Sequence, residues 1–267
     1  MKNEFLRLKK IHSGRVLEVR LNRPEVRNAF NEGLIDELLA LFTDLAKNQE
    51  SYRAVVLRGE GKAFCGGGDL NWMKASLELN EEENFSDCQR LTRMFLAMDR
   101  VPLPLIGVVH GFAIGGGVGL TSVCDHVLAE TNTIFSLSEV KLGLVPACIG
   151  PFVLSKVGFS QCRSLFLSGE RFAAEKALSI GLVHEVLPEE MIERRLEKLL
   201  QQILEGGPYA ISSAKNLLHK LYWDLRDEPL EKSLDIAARA LASLRVGPEG
   251  QEGLKAFLDK RPPRWKS

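Results

Sequence analysis

Residues 105–125, Leu105-Ile-Gly-Val-Val-His-Gly-Phe-Ala-Ile-Gly-Gly-Gly-Val-Gly-Leu-Thr-Ser-Val-Cys-Asp125, constrain the fold more than any other part of the chain. Leu105–Val109 is a nearly continuous apolar run bounded by turn signals, the pattern of a buried strand. Four glycines follow within residues 115–119, and the chain passes directly into Leu120–Val123. A strand, a glycine turn and a helix start bring unpaired peptide N–H groups and the positive helix end to one spot. Glycine has no Cβ, so a ligand or a second backbone can also come close there. The dinucleotide fingerprint G-x-G-x-x-G fails, because its third glycine would fall on Leu120 or Ser122. The phosphate loop fails as well, since no Lys-Ser or Lys-Thr follows. Two readings remain for the stretch alone: a donor pocket for an oxyanion or thioester carbonyl, or glycines that let two elements pack closely.

A second cluster, Cys65-Gly-Gly-Gly-Asp69, follows the strand-like Ala54–Leu57 and can also open a helix. Two such junctions about fifty residues apart are a sharper signal than either one. One N–H from each could meet at a single oxygen. That is the minimum for an oxyanion hole, where losing one donor costs about 10²–10³ in rate.

Lys plus Arg and Asp plus Glu are equal at 35 each, so no bulk field draws the chain to nucleic acid or a membrane surface. The five cysteines lack a C-x-x-C pair or adjacent ligand histidines, which predicts reduced thiols in a cytoplasmic setting and no metal site. Met1–Phe5 lacks the apolar core of a signal peptide, and no apolar run approaches spanning length.

Periodicity predicts strands at Phe5–Ile11 and Val16–Leu21, joined at His12-Ser-Gly14. Asn31 is placed to cap a helix bearing Leu34, Ile35, Leu38, Phe42 and Leu45. Residues 80–83 read as a solvated or mobile linker, followed from Ser86 by a helix whose Leu91, Met94, Phe95 and Met98 form a core stripe. Short strands are expected at Val127–Ala129 and Ile134–Ser136. Four helices follow at 191–204, 210–221, 230–244 and 249–258. The expectation is an α/β body over residues 1–190 that holds the site, then an all-helical oligomerisation region over 191–267.

Taken together, Leu21-Asn-Arg-Pro24 with Asn28-Ala29, Ala63-Phe-Cys-Gly-Gly-Gly-Asp-Leu70, Gly111–Gly117, Cys124-Asp125, Phe135–Pro146 and Lys255–Pro262 resemble the crotonase family of enoyl-CoA hydratases and isomerases. The resemblance covers nearly the whole chain in family order. It implies a crotonase-like spiral of repeated ββα units with a helical C-terminal region, a homotrimer or dimer of trimers, and acyl-CoA thioesters as substrates. Coenzyme A is then part of the substrate and no separate cofactor is called for. Carried over by position, the donor amides fall on Gly68 and Gly116 and an acid/base carboxylate on Glu139. Substrate contacts are implied at Arg23, Ala63, Cys65, Gly66, Asp69 and Leu70, and at Phe257 and Lys260 near the C-terminus. Asp69 and Asp125 read equally as residues that hold loops through side-chain-to-backbone bonds. Trp72 and Met73 are placed to shape the acyl pocket.

One departure matters. The first glutamate of two-glutamate hydratases falls on Gly119, and a position acidic in some isomerases and dehalogenases falls on Ala147. A single carboxylate under an oxyanion hole suffices for double-bond isomerisation and can also assist syn hydration. Residues 137–153 are similar to bacterial methylglutaconyl-CoA-type hydratases. They put hydration of a branched or glutaconyl-type 2-enoyl-CoA first, isomerisation second, and a non-catalytic acyl-CoA-binding subunit third.

Overall fold

The apolar runs read above become the strands of a spiral, which the computed structural model describes over residues 4–266. Residues 1–3, where the amino-terminal stretch begins, and residue 267 lie outside the described residues. β1 (Leu6–Ile11) and β2 (Val16–Leu21) pair antiparallel. His12, Ser13 and Gly14 between them all take left-handed backbone, as so tight a reversal demands. The chain then repeats a theme of strand, second short strand or loop, and helix. α1 (Glu32–Lys47) follows β2, and β3 (Ala54–Gly59) leads to α2 (Leu70–Ala75) and α3 (Glu81–Asp99). β4 (Leu105–Val109) and β5 (Phe112–Ile114) lead to α4 (Gly116–Ser122). β6 (His126–Glu130) and β7 (Ile134–Ser136) lead to α5 (Gly150–Ser168). β8 (Arg171–Ala173), α6 (Ala174–Ser179) and β9 (Glu185–Leu187) complete the body. Then come α7 (Glu189–Glu205), α8 (Pro208–His219), α9 (Leu230–Val246) and α10 (Pro248–Leu258).

The main sheet runs β1-β2-β3-β4-β6-β9 and is parallel from β2 onward. A second sheet runs β5-β7-β8. Isolated bridges at Cys65–Ala113 and Phe30–Gly68 carry its pairing back into the two earlier turns of the spiral. The core lies on the inner side of the main sheet, where Leu34, Ile35, Leu38 and Phe42 of α1 and Met94, Phe95 and Met98 of α3 are fully buried. The outer side is covered by α7, whose Ile192, Leu196, Leu199, Leu200 and Leu204 pack on Val16, Val56, Ile106 and Leu128.

Asn31 caps α1 as expected, its Oδ1 accepting the Leu34 N–H at 2.9 Å. The expected linker at 80–83 is instead the first turn of α3. The Asn80 side chain accepts the Glu83 N–H at 3.0 Å, and the Glu83 carboxylate accepts the Asn80 N–H at 2.9 Å. This reciprocal capping box turns an exposed acidic run into a helix start, with three carboxylates favourably set at the positive end. The sequence reading assigns no element to α5, α6, β8 or β9. α5 also contains Gly158 at φ 75°, where the helix kinks.

One side chain fastens the loop after β2 to the loop after β3. Asn28 is fully buried and left-handed at φ 54°. Its Oδ1 accepts the Arg23 N–H, and its Nδ2 donates to the carbonyls of Glu60 and Ala63, each at 2.8 Å. Asn28→Ala removes all three bonds, leaves a buried carbonyl short of a partner and puts a β-carbon-only residue in a left-handed conformation. We expect a loss of about 2–4 kcal/mol, read as a lower urea midpoint at unchanged m-value.

Candidate active site

Three backbone segments converge on a cavity of about 270 Å³: Gly66–Gly68, Ile114–Gly116 and Ser138–Glu139. Apolar side chains close it, chiefly Phe30, Trp72, Met73, Leu91, Leu144 and Val145.

The amides around Gly68 explain its orientation. The Gly67 carbonyl accepts the Phe30 N–H at 2.7 Å, and the Asp69 N–H donates to the Phe30 carbonyl at 2.8 Å. The Gly67 carbonyl and the Gly68 N–H belong to one trans peptide, in which the C=O and N–H point opposite ways. The Gly68 N–H therefore faces away from Phe30, toward the edge occupied by β5 and Gly116. Gly115 turns the chain at φ 50° while its N–H donates to the Ser136 carbonyl at 2.8 Å. Gly116 then opens α4, where the first N–H groups have no intrahelical acceptor. Both donor positions thus border one cavity.

Glu139 starts a 3-10 turn that follows β7. Its Oε2 is buried and accepts no hydrogen bond among the described residues, and its Oε1 lies 2.8 Å from where a Cβ on Gly115 would stand. Burial pushes its pKa above the ordinary glutamate value, opposed only by its own backbone N–H. Among the described residues it is the one carboxylate lining this cavity. The two cysteines nearest the site are not nucleophiles at neutral pH, because burial pushes the Cys65 and Cys148 thiols up to about 12.

The departure at position 119 has a steric counterpart. A Cβ on Gly119 would sit 2.3 Å from Ile149 Cγ2 and 2.9 Å from the Phe95 ring. The space for a side chain there is filled by core. Ala147, by contrast, lines the cavity and is exposed.

The remaining sequence-derived residues divide into groups. Gly66 lines the cavity. Ala63 and Cys65 are buried behind it, the Cys65 backbone pairing with Phe112 and Ile114 at 3.0 Å. Arg23 donates through Nη2 to Asp69 Oδ2 at 2.8 Å and through Nη1 to the Ala29 carbonyl. Asp69 caps α2 by accepting the Asn71 N–H at 2.7 Å. Burial works against its charge, yet the Arg23 guanidinium and these N–H groups hold its carboxyl below the usual range. This pair is engaged in fastening loops. Leu70 is 82% exposed, and it, Phe257 and Lys260 are absent from the cavity wall. Trp72 and Met73 do line it.

Sequence reasoning missed Phe30, whose ring lies 2.7 Å from where a Cβ on Gly116 would stand, and the wall formed by Leu142, Leu144, Val145 and Pro146. The available signal was apolar side chains crowded into a segment with neither helical nor strand period.

Comparison with known proteins agrees with this fold. The sequence model of the enoyl-CoA hydratase/isomerase family matches residues 12–267. Among solved structures, an enoyl-CoA hydratase from Shewanella pealeana is 34% identical with a TM-score of 0.92, the match covering 99% of this chain and 97% of that one. Pseudomonas aeruginosa AtuE is 36% identical with a TM-score of 0.93 over 99% of this chain and 100% of its own. An enoyl-CoA hydratase/isomerase from Marinobacter aquaeolei is 35% identical with a TM-score of 0.92, again over 99% and 100%.

If position 119 is closed by packing, restoring an acid there cannot produce a two-carboxylate site. Gly119→Ala is expected to lose about 1–3 kcal/mol by overpacking. Gly119→Glu should lose more, with no gain in turnover. A thermal melt of both variants beside a steady-state assay checks this.

Proposed function

The chain belongs to the enoyl-CoA hydratase/isomerase family, and we propose that it hydrates a 2-enoyl-CoA by syn addition of water. Relatives carrying the name enoyl-CoA hydratase support the reaction class. The observation that carries the reading is Glu139, a desolvated carboxylate that shares a small apolar cavity with Gly68 and Gly116.

In this reading the thioester oxygen accepts the N–H groups of Gly68 and Gly116. Negative charge gathers on that oxygen as water adds, and two fixed donors stabilise it more than they stabilise the neutral carbonyl. Polarisation draws electron density from the conjugated double bond and leaves Cβ electrophilic. Glu139 takes a proton from water as its oxygen bonds to Cβ, then returns a proton to Cα. Both transfers lie on one face, so one carboxylate serves both, which accounts for syn addition without an acid at position 119. A carboxyl whose pKa is raised toward neutrality is suited to both halves of the exchange. The apolar walls suit the hydrocarbon of a short, branched or glutaconyl-type acyl group.

Isomerisation is the second reading, and the filled space at Gly119 favours it. There Glu139 would remove a proton from Cα of a 3-enoyl-CoA and return it to Cγ, the far end of the original double bond, as the double bond moves to Cα–Cβ.

Assembly follows the family expectation of a trimer or dimer of trimers. It is supported by α9, which buries no residue, and by exposed Leu230, Leu234, Leu241, Leu254 and Phe257. The boundary near residue 190 marks where strands end, although α7 still packs on the main sheet. No helix among the described residues is long and apolar enough to cross a membrane. The five free thiols suit a cytoplasmic setting.

Incubation with crotonyl-CoA, 3-methylglutaconyl-CoA and a 3-enoyl-CoA tests the reading. Hydration removes the conjugated-thioester absorbance of the first two, whereas isomerisation creates it from the third. Glu139→Gln should lower kcat about 10²–10⁴-fold with little change in acyl-CoA affinity; a near-normal rate would remove Glu139 from the mechanism. The working form is the carboxylate, so kcat should fall as pH drops through a pKa above the ordinary glutamate value. The same shift means the native state holds its proton more tightly than the unfolded chain, so this group's contribution to stability declines as pH rises through that window. Glu139→Gln should therefore melt no lower than the parent at pH 8.

A further inference from the structure

Ala147 and Cys148 line the catalytic cavity on one side and a second cavity of about 440 Å³ on the other. The second space lies between α3 and the start of α5, with Leu96, Pro151, Phe152 and Trp223 on its apolar side and the charged Arg93, Asp99, Arg100 and Asp224 also on its wall. Among the described residues, only this two-residue partition is common to both walls. Its side chains are small. Cys148 is half-buried, with its Sγ 3.9 Å from the Cys88 carbonyl on α3, so the thiol is seated between the loop and that helix. Burial keeps it uncharged, so it presents a neutral surface to whatever fills the catalytic cavity. At about 270 Å³ that cavity is below the usual range for a drug-sized ligand. Glu139, Gly68 and Gly116 already claim part of it for the reacting thioester.

We propose that Cys148, together with Ala147, is the specificity-determining residue that ends the acyl cavity and sets the length of acyl chain the protein accepts, the second cavity being the space a longer chain would enter if the partition were opened. The proposal rests on the acyl-CoA reading of this site. The partition acts by shape alone. A chain that stops short of it gains affinity with each buried methylene, and a longer one must displace it or fold back.

The test is a series of saturated acyl-CoAs of increasing length, with affinity measured by calorimetry on the full chain. In the parent, affinity should rise with length and then stop at a break. Cys148→Gly should move the break to longer chains, raising affinity for the chain two methylenes beyond it by about tenfold. Cys148→Phe should move it to shorter ones. Opposite displacements from one position cannot come from loss of fold, and Ala147→Leu should shift the break in the same direction as Cys148→Phe. A break at the same length in all four proteins, or no break in the parent, overturns the proposal. Binding is scored apart from turnover. A length-dependent series with no hydration or isomerisation would therefore sink the catalytic reading and leave this one standing, and the converse holds equally.

Discussion

The site depends on a row of backbone hydrogen bonds that joins successive turns of the spiral on their inner side. Phe30 pairs with the Gly67–Asp69 segment, Cys65 with Phe112 and Ile114, Gly115 with Ser136, and Phe135 with Phe172. Four junctions distant in sequence are thereby held edge to edge, in the way strands of a sheet are. Peptide groups in such a row cannot rotate freely, because each is flanked by groups already committed to partners. An oxyanion hole needs this property above all. Its donors must point correctly before charge develops, since reorienting them during the reaction would forfeit most of their effect. Asn28, Arg23 and Asp69 serve the same end from the side, replacing loop entropy with buried polar bonds.

Against this fixed frame, Glu139 is the costly element. A carboxylate with one buried oxygen that accepts no hydrogen bond among the described residues is destabilised in its charged form. The fold tolerates it because Gly115 presents no Cβ to that carboxylate and the turn at Glu139–Leu142 is held by its own backbone bonds. Under the proposed mechanism, a hydrogen bond is thus withheld from an oxygen of the group that would change protonation state. Position 119, one helical turn further into the core, has been given over to packing instead. The two positions show a division between stability and chemistry within a single short helix and its neighbour.

How much of this was legible in the sequence follows from the range of the interactions. Local rules found the strands of the main sheet except β9, the Asn31 cap and the core stripe of α3, because apolar period and caps are written within a few residues. The capping box at Asn80 was equally local, but its Glu81-Glu82-Glu83 run looks like solvated charge unless the reciprocal bonds are sought. The two glycine junctions were legible as donors, yet only the ladder shows which way their amides turn. The resemblance implied a substrate contact at Arg23, and no local rule could show that its guanidinium meets the Ala29 carbonyl and Asp69, 46 residues away. Phe30 and the 142–149 wall escaped because neither period marks a residue whose environment comes from another turn of the spiral.

The helices beyond the body have a different energetic character, and one contact links them to it. α7 spends its apolar stripe on the main sheet, while α9 leaves its own unburied. Among the described residues, those lining the cavity lie between Phe30 and Ile149. Yet α8 is not merely appended. Lys215, itself buried, donates to Asp125 Oδ2 at 2.6 Å and to the Leu103 carbonyl at 3.1 Å, while Asp125 Oδ2 also accepts the Leu105 N–H at 2.7 Å. These bonds tie α8 to the foot of β4 and to the residue that closes the segment after α4. Lys215 is buried while Asp125 is exposed, so breaking this charge-assisted bond would strand the ammonium group rather than the carboxylate. Through Lys215, α8 is thus joined to both ends of the turn that leads into β4, rather than resting on the body by apolar contact alone.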